Sequence, residues 1–93
     1  LDIVFHVAEK PKKPKSNLAI LPIYILKPDI FEALEKTSLG HNNELQVTDA
    51  ISTLLDWNHK ITAYNFRNNK WFDIGTTKQY FYALNYSFKI ATK

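Results

Sequence analysis

Glu9-Lys10-Pro11 joins a carboxylate to an ammonium group directly after a run in which Ile3, Phe5 and Val7 alternate with Asp2, Val4 and His6. That alternation is the period of a strand, and the carboxyl end of a strand is where open α/β sheets place ligand-binding groups. A carboxylate there accepts hydroxyl protons from a polyol, while the neighbouring lysine offers a compact charge to a phosphate. The blander account is that Glu9 and Lys10 open a solvated basic loop, EKPKKPK, over residues 9–15. Asp73 is the second candidate. It stands between Trp71, Phe72, Ile74 and Gly75, so its carboxylate is desolvated at a cost, bound to a cation, or caps the following turn. One aspartate is a thin site for a divalent cation, which usually takes one or two carboxylates plus phosphate oxygens and water. Tyr24, Trp57, Trp71, Tyr80, Tyr82 and Tyr86 could form a platform for a sugar or base, but aromatics at strand or helix spacing more often fill a core.

These groups depend on the elements around them. The two prolines of residues 9–15 exclude helix there. Residues 17–26, NLAILPIYIL, are apolar almost throughout and predict a central strand covered on both faces, with a local irregularity at Pro22. Pro28, Asp29 and Glu32 suit a helix start, and Ile30, Phe31 and Leu34 give a short helix ending at Lys36. After a loop around Gly40, Thr48 predicts a cap for a second helix with Ile51, Leu54 and Leu55 inward and Asn58 at its end. Thr48 and Asp49 of the ELQVTD stretch are accounted for as capping and dipole chemistry. Residues 60–66 and 70–74 read as a hairpin across Arg67, Asn68 and Asn69. Thr76 or Thr77 predicts the cap of a last helix, where Tyr80, Leu84 and Phe88 recur every fourth residue.

Composition bounds the possibilities. Ninety-three residues hold one core at most, and 45% hydrophobic with 23% charged residues is a globular balance rather than a disordered one. Without cysteine there is no disulfide framework, thiolate metal site or cysteine nucleophile, and the redox compartment leans to the cytosol. His6, His41 and His59 are too scattered for a metal motif. No apolar run is long enough for a membrane span, so a soluble, cytoplasmic protein is expected. With only Gly40 and Gly75, the chain has no glycine-rich phosphate cradle.

Taken in order, EKP, PKSNLAI, YIL, PDIF, ELQVTDAI and WFDIGT resemble the carboxy-terminal half of the sugar-1-phosphate nucleotidylyltransferases, above all the UTP:glucose-1-phosphate uridylyltransferases. The resemblance spans nearly the whole chain. It implies an α/β fold, the carboxy-terminal portion of a Rossmann-like nucleotidyltransferase sheet with flanking helices and a hairpin, in which residues 1–93 form the sugar-binding part. It implies that Glu9 holds sugar hydroxyls, Lys10 holds the sugar phosphate, Tyr24 and the backbone near Ile20 line the sugar pocket, and Asp73 is one of two aspartates that bind Mg²⁺.

Two departures qualify the match. The thymidylyltransferase branch carries Arg-Gly before the ELxxTD motif, whereas this chain has Asn42-Asn43, which favours the uridylyl branch; a thymidylyl- or guanylyltransferase of the same family is the alternative. The family's amino-terminal half, with its nucleotide loop and second aspartate, is absent from these residues. The expected substrates are therefore a sugar 1-phosphate and a nucleoside triphosphate, used in nucleotide-sugar biosynthesis. The expected partner is the missing half of the fold, with room for a homo-oligomer, and these residues alone should be inactive. The rival is a small basic module that binds anions or nucleic acid through the KPKKPK loop. Four lysines on one loop make a thin footprint for that, so nucleic acid is not expected.

Overall fold

The computed structural model describes residues 1–67 and 69–92. Its elements are β1 (Asp2–Ile3), α1 (Asp29–Lys36), a 3₁₀ turn (His41–Asn43), α2 (Val47–Asp56), β2 (Thr62–Ala63) and α3 (Thr77–Ala91).

The core is the α1–α2 pair. Ile30 and Ala33 of α1 meet Ala50, Ile51 and Leu54 of α2, and Val7, Leu26, Leu34 and Ile61 close around them. Ala33 and Ala50 are wholly buried, and their small side chains allow two helices to approach closely. Polar ties reinforce the pair. The Thr37 hydroxyl donates to the Ala33 carbonyl at 2.6 Å and lies 3.3 Å from the Thr53 hydroxyl, while His59 Nδ1 is 3.6 Å from Asp29 Oδ2. Phe31, expected in the stripe of α1, faces solvent instead.

Local end signals explain where the helices stop. Pro28 precedes α1 with a helical φ of −56°. Asn58 adopts φ 63°, and the Asn58 and His59 amides donate to the Leu55 and Leu54 carbonyls, the paired bonds of a left-handed helix stop. At α3, Thr76 accepts from the Gln79 amide at 3.2 Å and Gln79 Oε1 accepts from the Gly75 amide at 2.8 Å, a variant of the reciprocal capping arrangement.

The strands differ from expectation. β1 pairs antiparallel with β2, Asp2 opposite Ala63 and Ile3 opposite Thr62, and Val4 N–H donates to the Ile61 carbonyl at 2.8 Å. Residues 60–66 therefore pair with the amino terminus rather than with 70–74. The turn between those segments survives as a bond from Asn69 N–H to the Phe66 carbonyl, and Asn68 lies outside the described residues. Residues 17–26 are not a strand, and apart from Leu26 against the core and the half-buried Leu21 they are not covered: Ile23 is 71% and Ile25 99% exposed. A strand exists only through a paired neighbour, and among the described residues none lies alongside. The irregularity at Pro22 is a tight turn, with Ile23 N–H donating to the Leu21 carbonyl at 2.8 Å. Among the described residues the architecture is thus a small α/β unit of three α-helices, a 3₁₀ turn and one two-stranded antiparallel ribbon.

Candidate functional site

Glu9 is half-buried and lies six residues past the end of β1, not at the strand end itself. It is held from a distance: the Thr48 hydroxyl donates to Glu9 Oε2 at 2.8 Å, across 39 residues of sequence. Thr48 is 5% exposed and occupies the second position of α2, behind an N-cap filled by Gln46 without a side-chain bond. The expected capping role for Thr48 is therefore replaced. Its hydroxyl serves Glu9, and the carboxylate sits at the first turn of a helix, where free amides and the helix dipole favour negative charge. Nearby, the Asp49 carboxylate lies so close over Gly40 that a Cβ there would collide with it.

Lys10 is exposed and adopts φ 43°. A non-glycine residue in the left-handed region costs roughly 1–2 kcal/mol, and Pro11 itself steers its predecessor toward extended backbone. Strain of this kind gathers at ligand-binding turns. It also breaks the strand-like alternation between Glu9 and Lys10.

Ile20 and Tyr24 sit on the open segment 17–26, 48% and 40% exposed. Asp73 is exposed and belongs to a different neighbourhood. With Lys70, Trp71, Phe72, Tyr82 and Tyr86 it lines an open groove of about 540 Å³ between residues 70–73 and α3. Phe72 and Tyr86 meet at a tilt, 5.3 Å between ring centres, and Lys70 lies 5.8 Å from the Tyr86 ring. The α3 cap is Thr76, so among the described residues no hydrogen bond supports Asp73 as a turn cap. Glu9 and Asp73 share neither groove nor hydrogen bond there, and no cluster of three acidic or histidine side chains forms a ready metal cage.

Thr48 is the site residue that sequence reasoning assigned elsewhere. The available signal was its place two residues into an apolar helical stripe, where a hydroxyl must find a partner, and the partner lay too far along the chain to be read.

The geometry describes an α/β segment in which a carboxylate, Glu9, is anchored to a helix start and is followed by an exposed lysine, Lys10, on left-handed backbone, an acidic and a basic group side by side that can serve a polyol phosphate. A model of the nucleotidyl transferase family matches residues 2–89. UTP–glucose-1-phosphate uridylyltransferase of Pseudomonas aeruginosa is 38% identical over 95% of this chain and 33% of the relative. The enzymes of the same name from Mycoplasma genitalium and Staphylococcus saprophyticus are 48% and 42% identical over 72% and 77% of this chain, and over 22% and 26% of their own lengths. The chain belongs to the nucleotidyl transferase family. It spans a third or less of the length of these curated relatives. Among the described residues no helix is long and apolar enough to cross a membrane.

Proposed function

We propose that residues 1–93 are the sugar-phosphate-binding part of a longer, Rossmann-like nucleotidyltransferase that joins UTP to glucose 1-phosphate, giving UDP-glucose and pyrophosphate. The observation that carries this is the alignment of up to 95% of the chain with uridylyltransferases at 38–48% identity. The nucleotide-binding half then lies in the remainder of the protein, whose relatives are about three or more times as long as the matched part.

In the proposed reaction an oxygen of the sugar phosphate attacks the α-phosphorus of UTP. The new P–O bond forms as the bridge to the β-phosphate breaks, and pyrophosphate leaves with the electron pair. Catalysis is then positioning and charge neutralisation, with no covalent enzyme intermediate. Glu9 accepts from sugar hydroxyls, Lys10 holds the attacking phosphate, and Tyr24 with the Ile20 backbone walls the sugar. Asp73 fits one hard-oxygen ligand of Mg²⁺, an exposed carboxylate without an ion pair among the described residues, leaving other positions to phosphate oxygens and water. When bound, Mg²⁺ supplies charge neutralisation between the two substrates' phosphates.

The test is incubation of the full-length enzyme with Mg²⁺, glucose 1-phosphate and each nucleoside triphosphate in turn. Equal formation of UDP-glucose and pyrophosphate is expected. Turnover of dTTP or GTP alone would assign a thymidylyl- or guanylyltransferase, and no sugar nucleotide from any triphosphate would remove the proposal.

A further inference from the structure

We propose that Thr48 is a positioning residue for sugar recognition: its buried hydroxyl fixes one oxygen of Glu9 so that the other is presented to the substrate. This rests on Glu9 holding sugar hydroxyls. A glutamate on a loop has three free side-chain torsions, and the residues that follow it, 10–20, are all exposed. Orientation must come from elsewhere. The 2.8 Å bond from Thr48 Oγ1 to Oε2 supplies it, and the donor is itself buried, 5% exposed on the first turn of a helix whose next turn is the core. Oε1 makes no hydrogen bond to protein among the described residues. One oxygen is thus spent on the scaffold and one remains for a ligand. A carboxylate accepts through both oxygens, and a supporting hydrogen bond that locks its rotamer is what lets it distinguish one hydroxyl stereochemistry from another.

The bond also joins the EKP step to the ELQVTD helix, so the two motifs act as one unit. Asp49, next to Thr48, packs over Gly40, which keeps the loop preceding α2 against the same helix start and leaves Thr48 little freedom to turn away.

Kinetics of the full-length enzyme decide it. Thr48→Val keeps the branched shape and removes the donor. The expected result is a rise of about tenfold in KM for glucose 1-phosphate, in the range for losing a hydrogen bond to a charged group, with KM for UTP and the melting temperature little changed. Discrimination against galactose 1-phosphate should fall, and Thr48→Ser, which keeps the hydroxyl, should restore both. Thr48→Ala gives a second reading should the valine variant fold poorly. Glu9→Gln is the control on the parent proposal. If Glu9→Gln impairs sugar binding while Thr48→Val and Thr48→Ala leave KM within twofold, the positioning role is overturned and the function stands. If Glu9→Gln is also silent, the role of Glu9 itself fails and this inference with it. Lower stability of Thr48→Val with unchanged sugar selectivity would reduce the bond to a structural tie.

Discussion

The α1–α2 pair and α3 each carry an apolar stripe, aliphatic in the pair and largely aromatic in α3, yet they end in opposite surroundings. Ile30, Ala33, Ala50, Ile51 and Leu54 are buried between the first two. α3 is longer, carries Tyr80, Phe81, Leu84 and Phe88, and buries none of its residues; Phe88 is 66% exposed. Among the described residues α3 packs against no other helix or strand, and it shares a groove with residues 70–73 before it. Helix formation and helix burial are therefore separate events here: caps and periodicity make α3, but a partner is needed to use its apolar face. The candidate site is split along the same line, with Glu9 tied to the packed half and Asp73 in the open half.

The largest effect expected from that split concerns Asp73. On the proposed function, Asp73→Asn in the full-length protein would keep volume but remove a negative charge proposed to hold Mg²⁺, and kcat should fall roughly 100-fold or more, about 3 kcal/mol. On the same proposal Lys10→Ala should instead raise KM for glucose 1-phosphate, since its charge would be engaged in the ground state. Near-normal kcat for Asp73→Asn across a magnesium titration would remove Asp73 from the site.

Stability should show the converse pattern. Leu54→Ala in the core is expected to cost about 2–3 kcal/mol, toward the low side for such truncations because so thin a core can partly collapse. Leu84→Ala on α3 should stay within about 0.5 kcal/mol in the isolated chain. Denaturant midpoints measure both, and equal losses would show that α3 is packed after all. In the full-length enzyme the Leu84→Ala loss should grow if the remainder of the fold covers α3.

The uncovered apolar surface has a consequence for the isolated chain. Its accessible area is 8315 Å², against about 5,500 Å² for a compact monomer of this mass, and its radius of gyration is 16.3 Å against about 12 Å. The excess, about 2,800 Å², is the scale of an obligate interface. Residues 17–26 and the outer face of α3 supply much of its apolar part. The purified 93-residue chain should therefore self-associate, seen as a mass that rises with concentration in sedimentation. A strictly monomeric species with a cooperative melt would contradict this.

Legibility in the sequence followed the reach of each signal. Pro28, Asn58 and Thr76 act within a few residues, and the helices they bound lie where those residues place them. Residues 17–26 have the composition of a buried strand, but pairing and cover are supplied by other chain segments, and composition alone cannot provide them. The 60–66 run found its partner at Asp2–Ile3, some sixty residues away, rather than across the nearby turn. The family resemblance points to Glu9, Lys10 and Asp73 as candidate site residues one by one. What joins Glu9 to the core is a bond 39 residues long in sequence, and no local pattern marks Thr48 as its donor.

The smallest expected effect tests how firmly the packed half is closed. Asn58 ends α2 at φ 63°, a conformation in which a Cβ crowds the backbone. Asparagine tolerates it better than most residues, and glycine carries no penalty at all. Asn58→Ala should thus destabilise the chain by about 1 kcal/mol, while Asn58→Gly should be close to neutral, its relief of strain offset by the greater freedom of the unfolded chain. Because His59 follows directly and reaches Asp29 at 3.6 Å, loosening this stop in the alanine variant should also free the contact between the start of α1 and the end of α2. Amide exchange at Asn58 and His59, whose N–H groups close the helix end, should quicken in Asn58→Ala and stay slow in Asn58→Gly. Equal stability and equal exchange in the two variants would mean that the left-handed stop contributes nothing to holding the pair together.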